Sequence, residues 1–249
     1  MKELLAQAKL KVDQARRILV LSGAGLSTES GVPDFRSPNG LYSVDFHGYN
    51  PEVILSHSFY KNRTDLFYEY LRTRLNYTDI KPGISYRVLA DLEQRGRIKG
   101  VLTQNIDSLH LAAGSQHVVE LHGTLASYSC EQCGKHIDAK TMMDEHTPYH
   151  CDCGGTIRPD VVLYDESVPK ISDALDMAED ADLLLVLGTS LLVYPVAHIP
   201  QILLERDLPV VIINRDPTPY ADYRGVTEIN GEIGTALRAL FPESYRRME

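Results

Sequence analysis

The chain has 249 residues, 43% hydrophobic and 24% charged, which suits one large domain with a buried core and excludes disordered, collagenous or membrane-bundle compositions. With 25 Lys and Arg against 34 Asp and Glu, the formal net charge of −9 excludes a broadly basic face for nucleic-acid phosphate and leaves at most a local patch. The longest apolar runs, such as Leu183 to Leu187, are too short for a membrane span, and the opening MKELLAQAKLKVDQARR is too charged for a secretory signal, so the expected compartment is the cytoplasm.

Leu4, Ala8, Val12 and Ala15 recur at spacings of four, four and three, which predicts a helix with one apolar face. ILVLSGAG (Ile18 to Gly25) reads as a buried strand entering a glycine turn, and STES after it reads as a helix start. From about Ser37 to Pro82 the chain is rich in aromatic residues and helical in its second half, an insertion expected to pack against the main sheet. A helix around Ser85 to Gly96 leads to the strand-like runs IKGVLTQNID and HVVELHG. After a polar, turn-rich stretch from Ser127 to Gly155 come three more, TIRPDVVLY, ADLLLVLGTS and PVVIINRD, with helical patterns at Ile171 to Glu179 and Ala197 to Asp207. Strands alternating with helices predict an α/β fold with a doubly wound, mostly parallel sheet, whose ligands gather beyond the carboxyl ends of the strands.

Those strand ends carry the chemistry. Gly23-Ala24-Gly25 allows a tight turn and close approach to a pyrophosphate, although Thr28 stands where a dehydrogenase fingerprint has its third glycine. Gln104, Asn105 and Asp107 offer two amides and a carboxylate, enough to bind a carboxamide and a ribose. His122 follows an apolar strand and can serve as a proton acceptor near neutral pH. Thr189, Ser190 and Asn214 can donate to phosphate or ribose, and Arg36 offers a phosphate contact. Taken singly, each has a plain structural reading as a turn, a cap or a solvated side chain.

All four cysteines lie in one stretch, as C-x-x-C (Cys130, Cys133), 17 intervening residues, then C-x-C (Cys151, Cys153). Two thiolate pairs at this separation suit a tetrahedral structural zinc with no open position, the alternative being disulfides or free thiols. The tight second pair leaves His150 as a substitute ligand.

In combination these pieces resemble the sirtuin family of NAD-dependent protein deacylases. The matching segments are GAGLSTESGVPDFR (Gly23 to Arg36), TQNID (Thr103 to Asp107), His122-Gly123, the paired cysteines, IRPDVVLYDE (Ile157 to Glu166), GTSLLVYP (Gly188 to Pro195) and Ile213-Asn214, in the family's order and over nearly the whole chain. The resemblance implies a Rossmann-like sheet in one catalytic domain over 1–249. Within it, 1–36, 85–126 and 156–249 form the NAD-binding part, 37–84 the cofactor loop and helical insert, and 127–155 the zinc module.

It also implies that NAD, as co-substrate, lies with its pyrophosphate near Ala24, Gly25, Thr189 and Ser190, its adenine ribose near Asn214 and its carboxamide near Ile106 and Asp107. Gly23, Thr28, Gln104, Gly188 and Ile233 complete the expected cofactor contacts, and Asp34, Phe35 and Arg36 belong to a cofactor loop in which Phe35 shields the reactive ribose carbon. The acyl-lysine oxygen attacks that carbon as nicotinamide leaves. His122 then acts as general base on a ribose hydroxyl, and Asn105 positions the ribose and a water. An acyl-lysine peptide pairs as an added strand between Val162 to Glu166 and Leu191 to Val193, with Val162, Tyr164, Asp165, Glu166 and Val193 as its contacts.

Two departures stand out: Tyr164-Asp165-Glu166 occupies the place of the family's usual Phe-Gly-Glu, and FYEYLRT offers Tyr68 with Leu71, not Arg, three residues on. The second favours neutral over acidic acyl groups. The competing functions are an ADP-ribosyltransferase or NAD glycohydrolase, and a non-catalytic NAD-sensing module.

Overall fold

The computed structural model describes residues 2–144 and 146–249. Among them the chain runs α1 (Lys2–Gln14), β1 (Ile18–Ser22), a 3-10 helix (Ala24–Ser30), α2 (Pro51–Ile54), α3 (His57–Asn62), α4 (Thr64–Arg74), α5 (Ile84–Gln94), β2 (Ile98–Thr103), α6 (Leu109–Ala112), β3 (Val118–Glu120), β4 (Gly123–Cys130), β5 (His136–Asp138) and α7 (Ala139–Met143). It continues through β6 (Ile157–Val161), α8 (Ile171–Ala178), β7 (Leu183–Leu187), α9 (Ile199–Leu204), β8 (Val210–Asn214), β9 (Val226–Asn230), α10 (Ile233–Leu240) and α11 (Pro242–Met248).

Strands β1 and β7 are buried at all five positions, as expected of strands covered on both faces. Alternation along them divides the core. Ile18, Val20, Leu183 and Leu185 face Ala8, Val12, Leu89 and Leu237, while Leu19, Leu21, Leu184 and Val186 face Ala174, Ile199 and Leu203. Each such side chain contributes about 1.5–3 kcal/mol by leaving water. The resulting six-stranded sheet is wholly parallel, in the order β3-β2-β1-β7-β8-β9. From β1 the chain winds one way to β2 and β3, then returns to the other side for β7, β8 and β9, so the switch point lies between β1 and β7.

Several expectations change. The run around IRPDV does not join the parallel sheet; β6 is an antiparallel edge strand of a three-stranded sheet, β5-β4-β6. Pro159 and the alternating burial of β6 account for this, because proline cannot donate to a central ladder. The aromatic insert packs mainly on this small sheet, with Phe67, Tyr68 and Leu71 clustered with Tyr128, Met142 and Ile157. Tyr68 accordingly bonds Ile157 O and stacks on Tyr149, and Arg72 donates to Met142 O and Thr147 O. The turn after β1 enters a 3-10 helix at Ala24, not an α-helix at STES, and β9 is a strand the sequence reading did not anticipate. Among the described residues no helix is long and apolar enough to cross a membrane.

Candidate active site

A cavity of about 440 Å³ opens at the switch point, over the carboxyl ends of β1, β2, β7 and β8. It is lined by Gly23, Ala24, Gly25, Asp34, Phe35, Arg36, Gln104, Asn105, Ile106, His122, Gly188, Thr189, Ser190 and Asn214, and on its other wall by Val162, Tyr164, Asp165, Glu166 and Val193.

The glycines are required by close approach of two strand ends. A Cβ on Gly23 would lie 2.6 Å from Thr189 Cβ, and one on Gly25 would lie 2.8 Å from Gly188 Cα; Gly188 itself has φ +63°. Gly23 N–H and Gly25 N–H donate to Leu187 O and Gly188 O, whereas the N–H groups of Ala24, Thr189 and Ser190 take no partner among the described residues. Three free donors at one rim suit an anionic diphosphate.

Gln104 N–H extends the β1–β2 ladder by donating to Ser22 O, and its side chain donates to Thr189 Oγ1 at 2.9 Å. Asn105 is buried, with Nδ2 within 3.1 Å of Gly23 O, Ser27 Oγ and Tyr86 OH, while Oδ1 takes no partner among the described residues. Ser27 and Tyr86, which aim this amide, escaped the sequence reading because they lie 78 and 19 residues away. Asp107 lies behind this pair and outside the cavity lining: Oδ2 accepts from Ser27 Oγ at 2.6 Å and Oδ1 from Leu109 N–H at 2.9 Å. Burial pushes its carboxyl above the ordinary range, partly offset by those bonds.

His122 sits opposite, on the turn between β3 and β4, with Nδ1 3.1 Å from Gln104 O; burial lowers its pKa, and that hydrogen bond opposes the shift. Thr28 and Ile233 line a smaller adjoining cleft that shares Gly25, Gly188 and Asn214 with the main cavity. Thr28 Oγ1 donates to Gly25 O, and Asn214 Nδ2 donates to Asp216 O. Arg215, unremarked in the sequence, lines both spaces and lies 3.8 Å from Asp34.

On the other wall, Glu166 accepts both guanidinium bonds of Arg158 at 2.8 and 3.0 Å and the N–H of Leu163 at 2.8 Å. Burial works against its charge, but these donors prevail and hold the carboxyl below its usual range. The Glu166 side chain therefore holds the turn of this segment. Arg36 pairs with Glu52 at 2.9 Å and reaches Tyr164 OH, so its guanidinium already has partners besides any phosphate. Asp165 has φ +74°, a conformation that glycine adopts more readily than aspartate. Its N–H and C=O, the C=O of Val162 and Leu191 and the N–H of Val193 take no partner among the described residues, so two facing segments present free main chain.

The four cysteine Sγ atoms lie within 4.8 Å of one another, with Cys130–Cys153 at 3.5 Å and Cys133–Cys151 at 3.7 Å. Zinc–sulfur bonds of about 2.3 Å give tetrahedral edges of roughly 3.8 Å, whereas a disulfide needs about 2.05 Å. The set fits zinc. His150 is not in the cluster; its ring lies against Tyr149 and its backbone bridges to Thr156.

The Sir2 family model matches residues 23–195. A protein of Clostridium tetani (strain Massachusetts / E88) called NAD-dependent protein deacetylase is 41% identical over 238 residues, covering 93% of this chain and 95% of that one. Its namesake in Staphylococcus aureus (strain MRSA252) is 42% identical over 247 residues, 98% and 100% of the two chains. Among solved structures, a Sir2–p53 peptide–NAD+ complex superposes with TM-score 0.83 at 32% identity, covering 95% and 97%. Sir2Tm bound to a propionylated peptide gives 0.82 at 32% identity with the same coverage. A family model over residues 23–195, relatives 41% and 42% identical over 93% and 98% of the chain, and the shared fold of the solved Sir2 structures together establish that the chain belongs to the Sir2 family.

Proposed function

We propose that this protein is an NAD-dependent protein-lysine deacetylase, which transfers the acyl group to ADP-ribose and releases nicotinamide and an O-acyl-ADP-ribose. The observation that carries this reading is one cavity with a base on its floor, free N–H donors on one rim and unpaired main chain on the other. The curated relatives carry the same activity in their names.

Ala24, Thr189 and Ser190 bind the diphosphate through main-chain N–H groups, Asn214 takes the adenine ribose, and Ile106 lies where the nicotinamide carboxamide docks. Asn105, clamped through Nδ2, presents Oδ1 to the ribose or a water. Asp107 supports that loop from behind by holding Ser27 and Leu109. His122 donates Nδ1–H to Gln104 O, which leaves Nε2 free to take a proton from a ribose hydroxyl once nicotinamide has gone. Phe35, packed 5.2 Å from the Tyr42 ring, keeps water from the reacting carbon. The peptide enters as a strand between 162–166 and 191–193, its main chain meeting the free groups there.

Zinc, held by Cys130, Cys133, Cys151 and Cys153, supplies structure and takes no part in proton or acyl transfer. A thiolate metal set suits a reducing compartment, which supports a cytoplasmic location. The net charge of −9 argues against a broad nucleic-acid-binding face.

Mass spectrometry of an acetyl-lysine peptide incubated with and without NAD tests the proposal. The expected result is NAD-dependent loss of the acetyl group and appearance of acetyl-ADP-ribose; nicotinamide release with the peptide still acetylated would replace deacetylation by NAD hydrolysis or ADP-ribosyl transfer.

A further inference from the structure

We propose that the Tyr164 hydroxyl is a positioning group that fastens the cofactor loop to the substrate strand, so that bound peptide and bound NAD stabilise each other. The inference rests on the deacetylase reading for what fills the cavity, and on three features of the chain for the coupling.

The backbone of Tyr164 is fixed. Its N–H donates to Leu55 O and its C=O accepts from His57 N–H, both at 3.0 Å, so the ring is carried on a segment tied to the insert. The loop that faces it is preformed: Leu41 N–H donates to Asp34 O at 2.8 Å, Tyr42 N–H to Phe35 O at 2.9 Å and Gly40 N–H to Ser37 O at 2.8 Å. A loop closed on itself in this way moves as one piece. Beyond the packing of Phe35, Leu41 and Tyr42 on the aromatic cluster, its polar side-chain ties to its surroundings among the described residues are Arg36 to Glu52 at 2.9 Å, Asp34 to Arg215 at 3.8 Å, and the Tyr164 hydroxyl.

That hydroxyl lies 2.9 Å from Tyr42 OH and accepts from Arg36 Nη2 at 3.3 Å. It therefore joins two loop residues to the peptide-pairing segment. Tyr42 in turn carries Phe35, with ring centroids 5.2 Å apart, so the tie reaches the residue assigned to shield the ribose carbon. A phenylalanine here, as in the Phe-Gly-Glu usual in the resembled family, has no hydroxyl and makes no such tie. A peptide strand that steadies 162–166 holds the loop down over NAD, and by linkage NAD strengthens peptide binding by the same factor.

The test measures ADP-ribose affinity by calorimetry with and without an acetyl-lysine peptide, for the wild type, Tyr164→Phe, Tyr42→Phe and the double variant. The wild type is expected to bind ADP-ribose more tightly when peptide is present, and Tyr164→Phe to lose about fivefold of that gain, the size of one or two modest hydrogen bonds. Melting temperature stays at the wild-type value and ADP-ribose affinity measured without peptide falls less than the affinity measured with it, which separates positioning from folding. Tyr42→Phe, which keeps the Arg36 bond to Tyr164, loses no more than Tyr164→Phe, and the double variant is no worse than Tyr164→Phe alone. In turnover, Tyr164→Phe is expected to consume more NAD per acetyl group removed, because the shield is looser. Undiminished peptide-dependent tightening in Tyr164→Phe, no tightening in the wild type, or multiplying losses in the double variant each overturn the proposal. A wild type that cleaves NAD without deacetylating sinks the deacetylase reading instead, and the calorimetric arm still decides the coupling.

Discussion

His122 Nδ1 lies 3.1 Å from the carbonyl oxygen of Gln104, a pair in which only the ring can donate. The contact selects the neutral tautomer that leaves Nε2 open, and Gln104 is itself held by Ser22 O and Thr189 Oγ1. A backbone carbonyl thus sets the ring orientation, where many catalytic histidines use a carboxylate.

The pH dependence follows from burial. Because desolvation lowers the His122 pKa from its usual 6.5, the ring is neutral under conditions where an exposed imidazole is half charged. Deacetylation should therefore persist below pH 6.5 and decline only as the pH drops through the lowered pKa. A kcat/KM profile, which reports the free enzyme, with its acidic limb at or above 6.5 would contradict the assignment.

His122→Ala is expected to reduce deacetylation by about 10²- to 10⁴-fold, the usual worth of general-base assistance. Attack of the acyl oxygen on the ribose needs no proton transfer to this ring, so acetyl-peptide-dependent nicotinamide exchange should survive. Melting temperature, zinc content and NAD affinity, measured on the same preparation, should stay near the wild-type values.

Asp107→Ala removes the acceptor for both Ser27 Oγ and Leu109 N–H. Leaving these groups unpaired should lower stability by about 1–3 kcal/mol. Since Ser27 also clamps Asn105, affinity for NAD should fall more than affinity for ADP-ribose, which lacks the nicotinamide. Equal losses for the two ligands would detach Asp107 from the nicotinamide end.

Elemental analysis should find about one zinc per chain. Chelation should loosen the β5-β4-β6 sheet, since the cysteines supply its turns. Because β6 runs directly into 162–166, peptide affinity should fall more than ADP-ribose affinity on metal removal. Zinc-free protein with intact peptide binding would separate the two.

Much of this site could be read from the chain because its donors follow apolar runs directly: Gly23 after ILVLS, Gln104 and Asn105 after IKGVLT, Thr189 after LLLVLG. Such ends announce themselves, since a strand buried on both faces must turn polar where it meets solvent. The partners that aim those donors were not legible. Ser27, Tyr86 and Arg215 act through contacts made by folding, and no local pattern marks them. The IRPDV strand did carry a warning in Pro159 and its one-in, one-out burial, both marks of an edge. In β9 the buried Glu228, bonded to the N–H and hydroxyl of Thr218, interrupts the apolar signal that the other strands display.

The N–H and C=O of Asp165 and the N–H of Val193, without partners among the described residues, bear on which targets the proposed strand pairing would admit. A groove that reads backbone demands several residues in extended form on both sides of the modified lysine. A lysine in the middle of a helix, whose amides are already paired within its own turn, offers nothing to that groove until the helix frays. If the peptide pairs as proposed, the reachable modifications would be those on tails, linkers and transiently opened segments, and the target list would be governed by the local melting of other proteins more than by their sequence.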